Sequence, residues 1–418
     1  MRSLFQNKNF RLLVSGRLLT NIGDSMYYVA AMWLVYQLGG SAFYSGLAGF
    51  LILLPQALQF LVGPVVDSHS IKNILMLSQI AQAVLLLLIP IAYCSGVLTV
   101  WLVLTVMPLV SFLDQFSFPA ENALIPSILQ REERTEANSV MALAYQGTDA
   151  AFNAIGGVIL ALVGAVSLYL ADIGTFILAA WFFKSLKLPA ENQTARRKSS
   201  FTDELNHYLT DLNAGFQVVL HSVLGKVIVT GVFTNFALGA ELAALPAYAD
   251  VVGGSRVYGF LLAGSAIGSL AGALLAPVFS RYAIGRVLAG SYFLGFCFWL
   301  LTYALPFELL KVIFFSLSMV PLGMNNVIGY TLMQNILPRK LIARSMSVMV
   351  SVSTCIMPLG SLIGGLAAST IGAGTVFLAA STGFLFVAVY ITSIPVLRRL
   401  PSAEKVRPGD YGFDAKAE

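Results

Sequence analysis

A chain of 418 residues with 57% hydrophobic and only 11% charged side chains lies far from the roughly 45–50% and about 25% typical of soluble domains. That balance excludes an ordinary water-soluble domain and predicts an integral membrane protein. The net charge of +5 is scattered over the segments between apolar runs rather than gathered on one basic face, so no nucleic-acid partner is expected.

Apolar runs of about twenty residues, each able to cross a hydrocarbon core of about 30 Å, recur near residues 10–37, 43–66, 73–94, 98–127, 136–163, 165–187, 217–248, 255–280, 284–305, 308–336, 342–369 and 373–397. The predicted fold class is an all-α membrane protein of twelve transmembrane helices. About 22 of the 25 Lys and Arg are placed at the N-terminus, in or beside the even-to-odd connections and in the C-terminal tail, with Arg256 and Lys311 on the opposite side and Arg17 inside. By the positive-inside rule both termini are expected in the cytoplasm, in a multi-pass protein of the cell membrane. The first run is too long, and lacks the small-residue cleavage site, for a removable signal peptide.

The first run carries charge where a spanning helix should carry none. At 100° per residue Arg17, Asn21, Asp24 and Tyr28 share a narrow arc, while Leu18, Leu19, Ile22, Val29 and Trp33 cover the rest. An ionised group at mid-bilayer costs about 2.5–3.5 kcal/mol on insertion scales, so the stripe should face protein or a water-filled path. Two readings of Asp24 stay open: a carboxylate working in transport, or half of a buried Arg17–Asp24 lock.

Further interior polar groups follow along the chain. Asp114 and Glu121 share a face of the fourth run, with Pro119 able to bend the helix between them; Glu121 reads rather as a helix contact at the cytoplasmic end. Gln146, Asp149 and Asn153 make a stripe in the fifth, and Asp172 in the sixth reads as a cap or helix-to-helix bond. Asn235 and Glu241 lie in the seventh, Asn325 in the tenth. Arg17, Asp24, Asp149 and Glu241 are the proton-coupling candidates. Asn21, Tyr28, Asp114, Gln146, Asn153, Asn235 and Asn325 are the candidates for lining a substrate cavity, alternatives to plain interhelical hydrogen bonding. Gly264, Gly268 and Gly272 repeat every four residues and predict a close helix crossing.

The longest break, near residues 186–215, divides the runs six and six. The predicted organisation is an N-terminal six-helix bundle (1–187), a cytoplasmic linker (188–216) with Phe201, Leu205, Tyr208, Leu209, Leu212 and Phe216 on one face of an interfacial helix, a C-terminal six-helix bundle (217–397) and a cytoplasmic tail (398–418). The stretches Ile125–Ala161 and Leu337–Ser369 each open on an apolar-Pro pair, pass a basic turn and end in Ile-Gly-Gly, as a duplicated unit would.

The stretches NKNFRLLVSGRLLTNIGDSMYYVAAMWLVYQLGGSAFYSG, FPAENALIPSILQREERTEAN, LPAYADVVGGSRVYGFLLAGSAIGSLAGALLAP and QNILPRKLIARSMSV carry a specific resemblance. The chain resembles the major facilitator superfamily, and within it the proton-coupled exporters that include macrolide-efflux and enterobactin-exporter proteins. The resemblance implies two pseudo-symmetric bundles and a gating motif between spans two and three. In GPVVDSHSIKN, Gly63, Asp67 and Lys72 match that motif, whereas Ser68 and Ile71 stand where arginine is usual. In the second-half counterpart APVFSRYAIGR, Arg281 and Arg286 remain and Ser280 replaces the acid. The Gly-Pro motif of drug exporters is represented in the fifth span by FNAIGG, without the proline.

No phosphate-loop, nucleophile-elbow or zinc-protease motif is present, and Cys94, Cys297 and Cys355 have no metal-ligand spacing. A non-enzymatic transporter without cofactor or metal is expected. Its partners would be protons, an amphipathic small molecule and the lipid bilayer, and it would act as a monomer. A cationic or neutral drug-like substrate fits the interior acids. An anionic siderophore anchored by Arg17 is the alternative, and a non-transporting membrane sensor is a third reading.

Overall fold

The computed structural model describes residues 4–57, 62, 66, 69–130, 133–188, 223–336 and 339–402. Among these every regular element is helical, and each of the twelve apolar runs contains a helix. In chain order they are α1 (Lys8–Gly39), α2 (Ala42–Ala57), α3 (Ile71–Cys94), α4 (Val100–Asp114), α5 (Ser117–Ile128), α6 (Arg134–Ala142), a π turn (Leu143–Gly147), α7 (Thr148–Val163) and α8 (Ala165–Lys184). The second half comprises α9 (Val223–Gly253), α10 (Ser255–Phe279), α11 (Ile284–Ala304), α12 (Glu308–Ile336), α13 (Arg339–Ile371), α14 (Ala373–Ser393) and a short α15 (Pro395–Arg398). The proposed interfacial helix at 201–216 and most of the C-terminal tail lie outside the described residues.

Nine described segments are long and apolar enough to cross a membrane. α1 is not among them despite its 32 residues; its polar stripe lowers the mean hydropathy that its other faces would supply. Large apolar side chains such as Leu162, Val251, Leu274 and Leu309 are exposed, as expected where the surrounding solvent is lipid rather than water.

The chain divides into two compact units, residues 1–40 with 51–205 and residues 41–50 with 206–418. Within the first, α1 packs on α7 and α8, and α3 on α8; within the second, α9 packs on α13 and α14, and α11 on α14. The same pairing order recurs six apolar runs later, which is the architecture of an internal repeat.

Local chemistry sets the helix ends. Asn7 caps α1, its Oδ1 accepting from the Asn9 and Phe10 amides at 3.0 and 3.2 Å. Gly40, at φ +64°, closes the helix in the left-handed region and donates its N–H to the Tyr36 carbonyl. At one end of the first unit, Asn7 Nδ2 donates to Ile128 O at 2.8 Å, and Asn9 clasps Lys187 through two bonds, Nδ2 to O at 2.7 Å and Lys187 N to Oδ1 at 2.9 Å. Leu4, Phe10, Leu13, Leu75, Leu124 and Phe183 form the apolar core beneath this clasp.

In the second unit the Gly264–Gly268–Gly272 stripe lies flush against α12. A Cβ at Gly268 or Gly272 would overlap the carbonyl of Ser316 or Val320, and one at Gly323 would overlap that of Ser269. The predicted close crossing is therefore present, and small residues permit it from both sides.

Candidate functional site: a buried cation between two carboxylates

The polar face of α1 organises the interior of the first unit. Arg17 is nearly sealed, its side chain 8% exposed, and its Nη1 lies 3.8 Å from Asp114 Oδ1 and 3.9 Å from Glu121 Oε1. Both separations fall within ion-pair range and beyond hydrogen-bond range, so Coulomb attraction in a low-dielectric setting holds the guanidinium. Its Cζ also sits over the Tyr145 ring, 3.9 Å from the centroid. The Tyr145 hydroxyl in turn donates a short hydrogen bond to Glu121 Oε2. One cation thus faces two acids and one aromatic ring.

The two acids differ in access. The Asp114 side chain is 33% exposed, that of Glu121 only 2%. Their positions follow from the break in the fourth span, where α4 ends at Asp114 and α5 begins at Ser117. Pro119 has no N–H to offer the Gln115 carbonyl, so the ladder breaks where that bond would form. Glu121, expected as a helix contact, is buried against side chains of two other segments, Arg17 and Tyr145.

Tyr145 reaches the cluster from the π turn. Such turns widen the helix and leave its regular ladder incomplete. Here Asn21 Nδ2 donates to the carbonyls of Ala144 at 2.9 Å and Tyr145 at 3.2 Å. The amide predicted to line a cavity is therefore a brace across α1 and the π turn, engaged with backbone. Sequence reasoning missed Tyr145; the only available signal was its place one residue before the Gln146 stripe.

Asp24 and Tyr28 lie half-buried further along the same face of α1, and Asp24 acts electrostatically on Arg17. Asp172, fully buried on α8, accepts from Thr175 Oγ1 at 3.2 Å and lies against Gly23 of α1, a helix-to-helix contact as expected. The side chains of Gln146, Asp149 and Asn153 lie outside the described residues, as do Gly63 and Asp67. Lys72 Nζ donates to Leu186 O at 2.8 Å, just past the end of α8.

The second unit carries its polar candidates apart. Glu241 is buried on α9, and among the described residues no cation lies within ion-pair distance of it. Asn235 Nδ2 turns back to the carbonyl of Gly231 on its own helix at 2.9 Å. Asn325 is half-buried on α12. Arg281 and Arg286 are exposed at the α10–α11 connection. Lys311 is buried: its Nζ donates to the Thr302 and Tyr303 carbonyls at 3.1 and 3.2 Å and to the Tyr248 hydroxyl at 3.2 Å. It caps the C-terminal end of α11. Among the described residues no cluster of His, Cys, Asp and Glu could hold a metal ion.

Known proteins resemble this chain over most of its length. The chain is 26% identical over 378 residues to the uncharacterized MFS-type transporter YvqJ of Bacillus subtilis (strain 168), covering 88% of each chain. It is 26% identical over 404 residues to the multidrug efflux pump Tap of Mycolicibacterium fortuitum, covering 94% of this chain and 97% of that one. Among solved structures, the nucleoside transporter NupG superposes with a TM-score of 0.69 at 16% identity, over 93% of this chain and 98% of that one. A bacterial homologue of the human lysosomal transporter Spinster, inward-facing and occupied, superposes with a TM-score of 0.68 at 13% identity over 96% and 98%. Those two likenesses concern fold alone. The sequence profile described as "transmembrane secretion effector" matches residues 2–409, and with it the chain belongs to that family of major facilitator superfamily membrane transporters.

Proposed function

We propose that this protein is a proton-coupled exporter of amphipathic, cationic or neutral small molecules, working by alternating access with both termini in the cytoplasm. The observation that carries the reading is the buried Arg17 guanidinium set between a partly exposed and a sealed carboxylate. With both acids ionised the trio bears one net negative charge, which a low-dielectric interior disfavours; binding one proton makes it neutral. Asp114, the accessible member, is the natural port for that proton. Its neutralisation leaves Arg17 to Glu121 and Tyr145, so protonation changes which helix the α1 cation favours. One proton moved along a 100 mV potential supplies about 2.3 kcal/mol, enough to drive substrate accumulation. Asp24, on the same face, extends the polar path along α1, and Glu241 is a second acid for coupling in the other unit.

The efflux activity named for Tap supports the drug-type substrate class. An anionic siderophore is less well supported, because the arginine that would anchor it already faces two acids. The test is transport of a lipophilic-cation and macrolide panel into inside-out vesicles with an acid lumen. Wild type should accumulate substrate and release lumenal protons, whereas Asp114→Asn and Glu121→Gln should lose gradient-driven uptake yet keep substrate equilibration. Full proton-driven uptake by both variants would overturn the assignment, and absence of substrate-linked proton movement in wild type across the panel would overturn coupling itself.

A further inference from the structure

At the end of the second unit where α11 starts and α14 finishes, a cavity of about 380 Å³ is lined by Arg286, Arg398, Arg399, Thr392, Gly285 and Ala289 among others. Among the described residues no carboxylate lies within ion-pair distance of any of the three arginines. Arg398 makes one long bond, from Nη1 to the Thr392 carbonyl at 3.4 Å. Among the described residues the pocket is therefore a concentration of positive charge without a counter-charge.

The backbone around it is already satisfied. The amides of Ile284 and Gly285 donate to Pro401 and Leu400 at 3.2 and 3.4 Å, and those of Arg286 and Val287 donate to Ala283. An anion here would be read by guanidinium forks rather than by the start of α11, and such forks match the oxygens of a phosphate. Gly285 lies against the Leu397 and Arg398 carbonyls, where a Cβ would collide. This close approach folds α15 back beneath α11 and brings Arg398 and Arg399 to the same opening as Arg286.

The surroundings favour a membrane lipid over a soluble phosphate. Tyr282 is 63% exposed beside Phe279, in the manner of aromatic residues at headgroup depth. Val389 and Val396 are exposed on α14 and α15, two of the helices that frame the pocket, apolar surface on which an acyl chain can lie. We propose that this pocket binds the phosphate headgroup of an anionic phospholipid, in the inner leaflet by the orientation given above. Arg286 thereby acquires a role separate from the gating expected of it. The proposal does not depend on transport, and its test uses none.

The experiment is lipid retention by the purified full-length protein, measured by native mass spectrometry after incubation with mixed phosphatidylglycerol and phosphatidylcholine. Wild type should retain phosphatidylglycerol preferentially. Arg286→Gln should weaken that retention about fivefold, and Arg286→Gln with Arg398→Gln and Arg399→Gln more than tenfold; the exposed single variant keeps the test open if the triple one does not fold. Arg256→Gln, at the opposite end of α10, should leave retention unchanged. Equal retention by wild type and the Arg286 variant would overturn the proposal. So would displacement of the lipid by millimolar inorganic phosphate alone, which would make the pocket a soluble-anion site.

Discussion

In the first unit the polar side chains of four helical segments meet at Arg17, at ion-pair distances that stop short of hydrogen bonding to either acid. In the second unit the main contacts are close-packed glycines and rings. Glycines bring α10 and α12 into backbone contact, and Trp299, Phe315, Phe377 and Phe384 interlock at ring separations of 5.4–5.5 Å. The same repeated architecture thus holds an ion cluster in one copy and interlocked glycine and aromatic contacts in the other. On the function proposed above, charge-sensitive rearrangement belongs to the first unit, because close-packed interiors resist small displacements whereas an ion cluster can exchange partners when one member gains a proton.

Breaking the cluster should have the largest effect. Arg17→Ala strands two acids in the interior, and removing one partner of a buried ion pair costs about 3–5 kcal/mol. Gradient-driven transport should vanish and the thermal midpoint in detergent should fall sharply. A full-activity Arg17→Ala protein would end the comparison. The matching disruption of the second unit is Gly268→Val, whose side chain meets the Ser316 carbonyl. Overpacking of this kind costs about 1–3 kcal/mol, read as a lowered melting temperature, with proton coupling unchanged in whatever protein remains folded.

Asn21→Ala should cost about 1–3 kcal/mol by leaving two π-turn carbonyls without the amide they accept from. Its transport defect should be smaller than that of Arg17→Ala, because the ion cluster stays intact. Tyr145→Phe keeps the ring over Arg17 and deletes only the bond to Glu121, so a loss of about 0.5–1.5 kcal/mol is expected; a shifted pH profile of transport would show that the hydroxyl tunes the acid as well as holding it. Smallest of all, Arg256→Ala removes an exposed bridge to Glu308, 2.6 Å long, and should change stability by less than about 1 kcal/mol.

The helices and the glycine crossing were legible in the sequence because both are local signals, one a run of apolar residues and the other a spacing of four. Arg17 was legible for the same reason, since a charge in a spanning run stands out. Its partners were not. The pairing with Asp114 and Glu121 depends on how α1 lies against the broken fourth span, a registry between distant segments that no periodicity records. Tyr145 was hidden further, because a π turn adds a residue and displaces every side chain after it from the face that a 3.6-residue period assigns. The burial of Lys311 was not legible, because the carbonyls that hold it belong to the end of α11, a neighbour that its own position in the sequence does not reveal.

The distance along the chain between Arg17 and its acids also bears on synthesis. About a hundred residues must leave the ribosome after Arg17 before Asp114 and Glu121 emerge, several seconds at a rate of about 5–20 residues per second. During that interval the leading helix carries a guanidinium whose later neighbours do not yet exist. Its settled depth in the bilayer must therefore await the fourth span, and the insertion machinery has to tolerate a first segment that becomes a comfortable membrane helix only in retrospect.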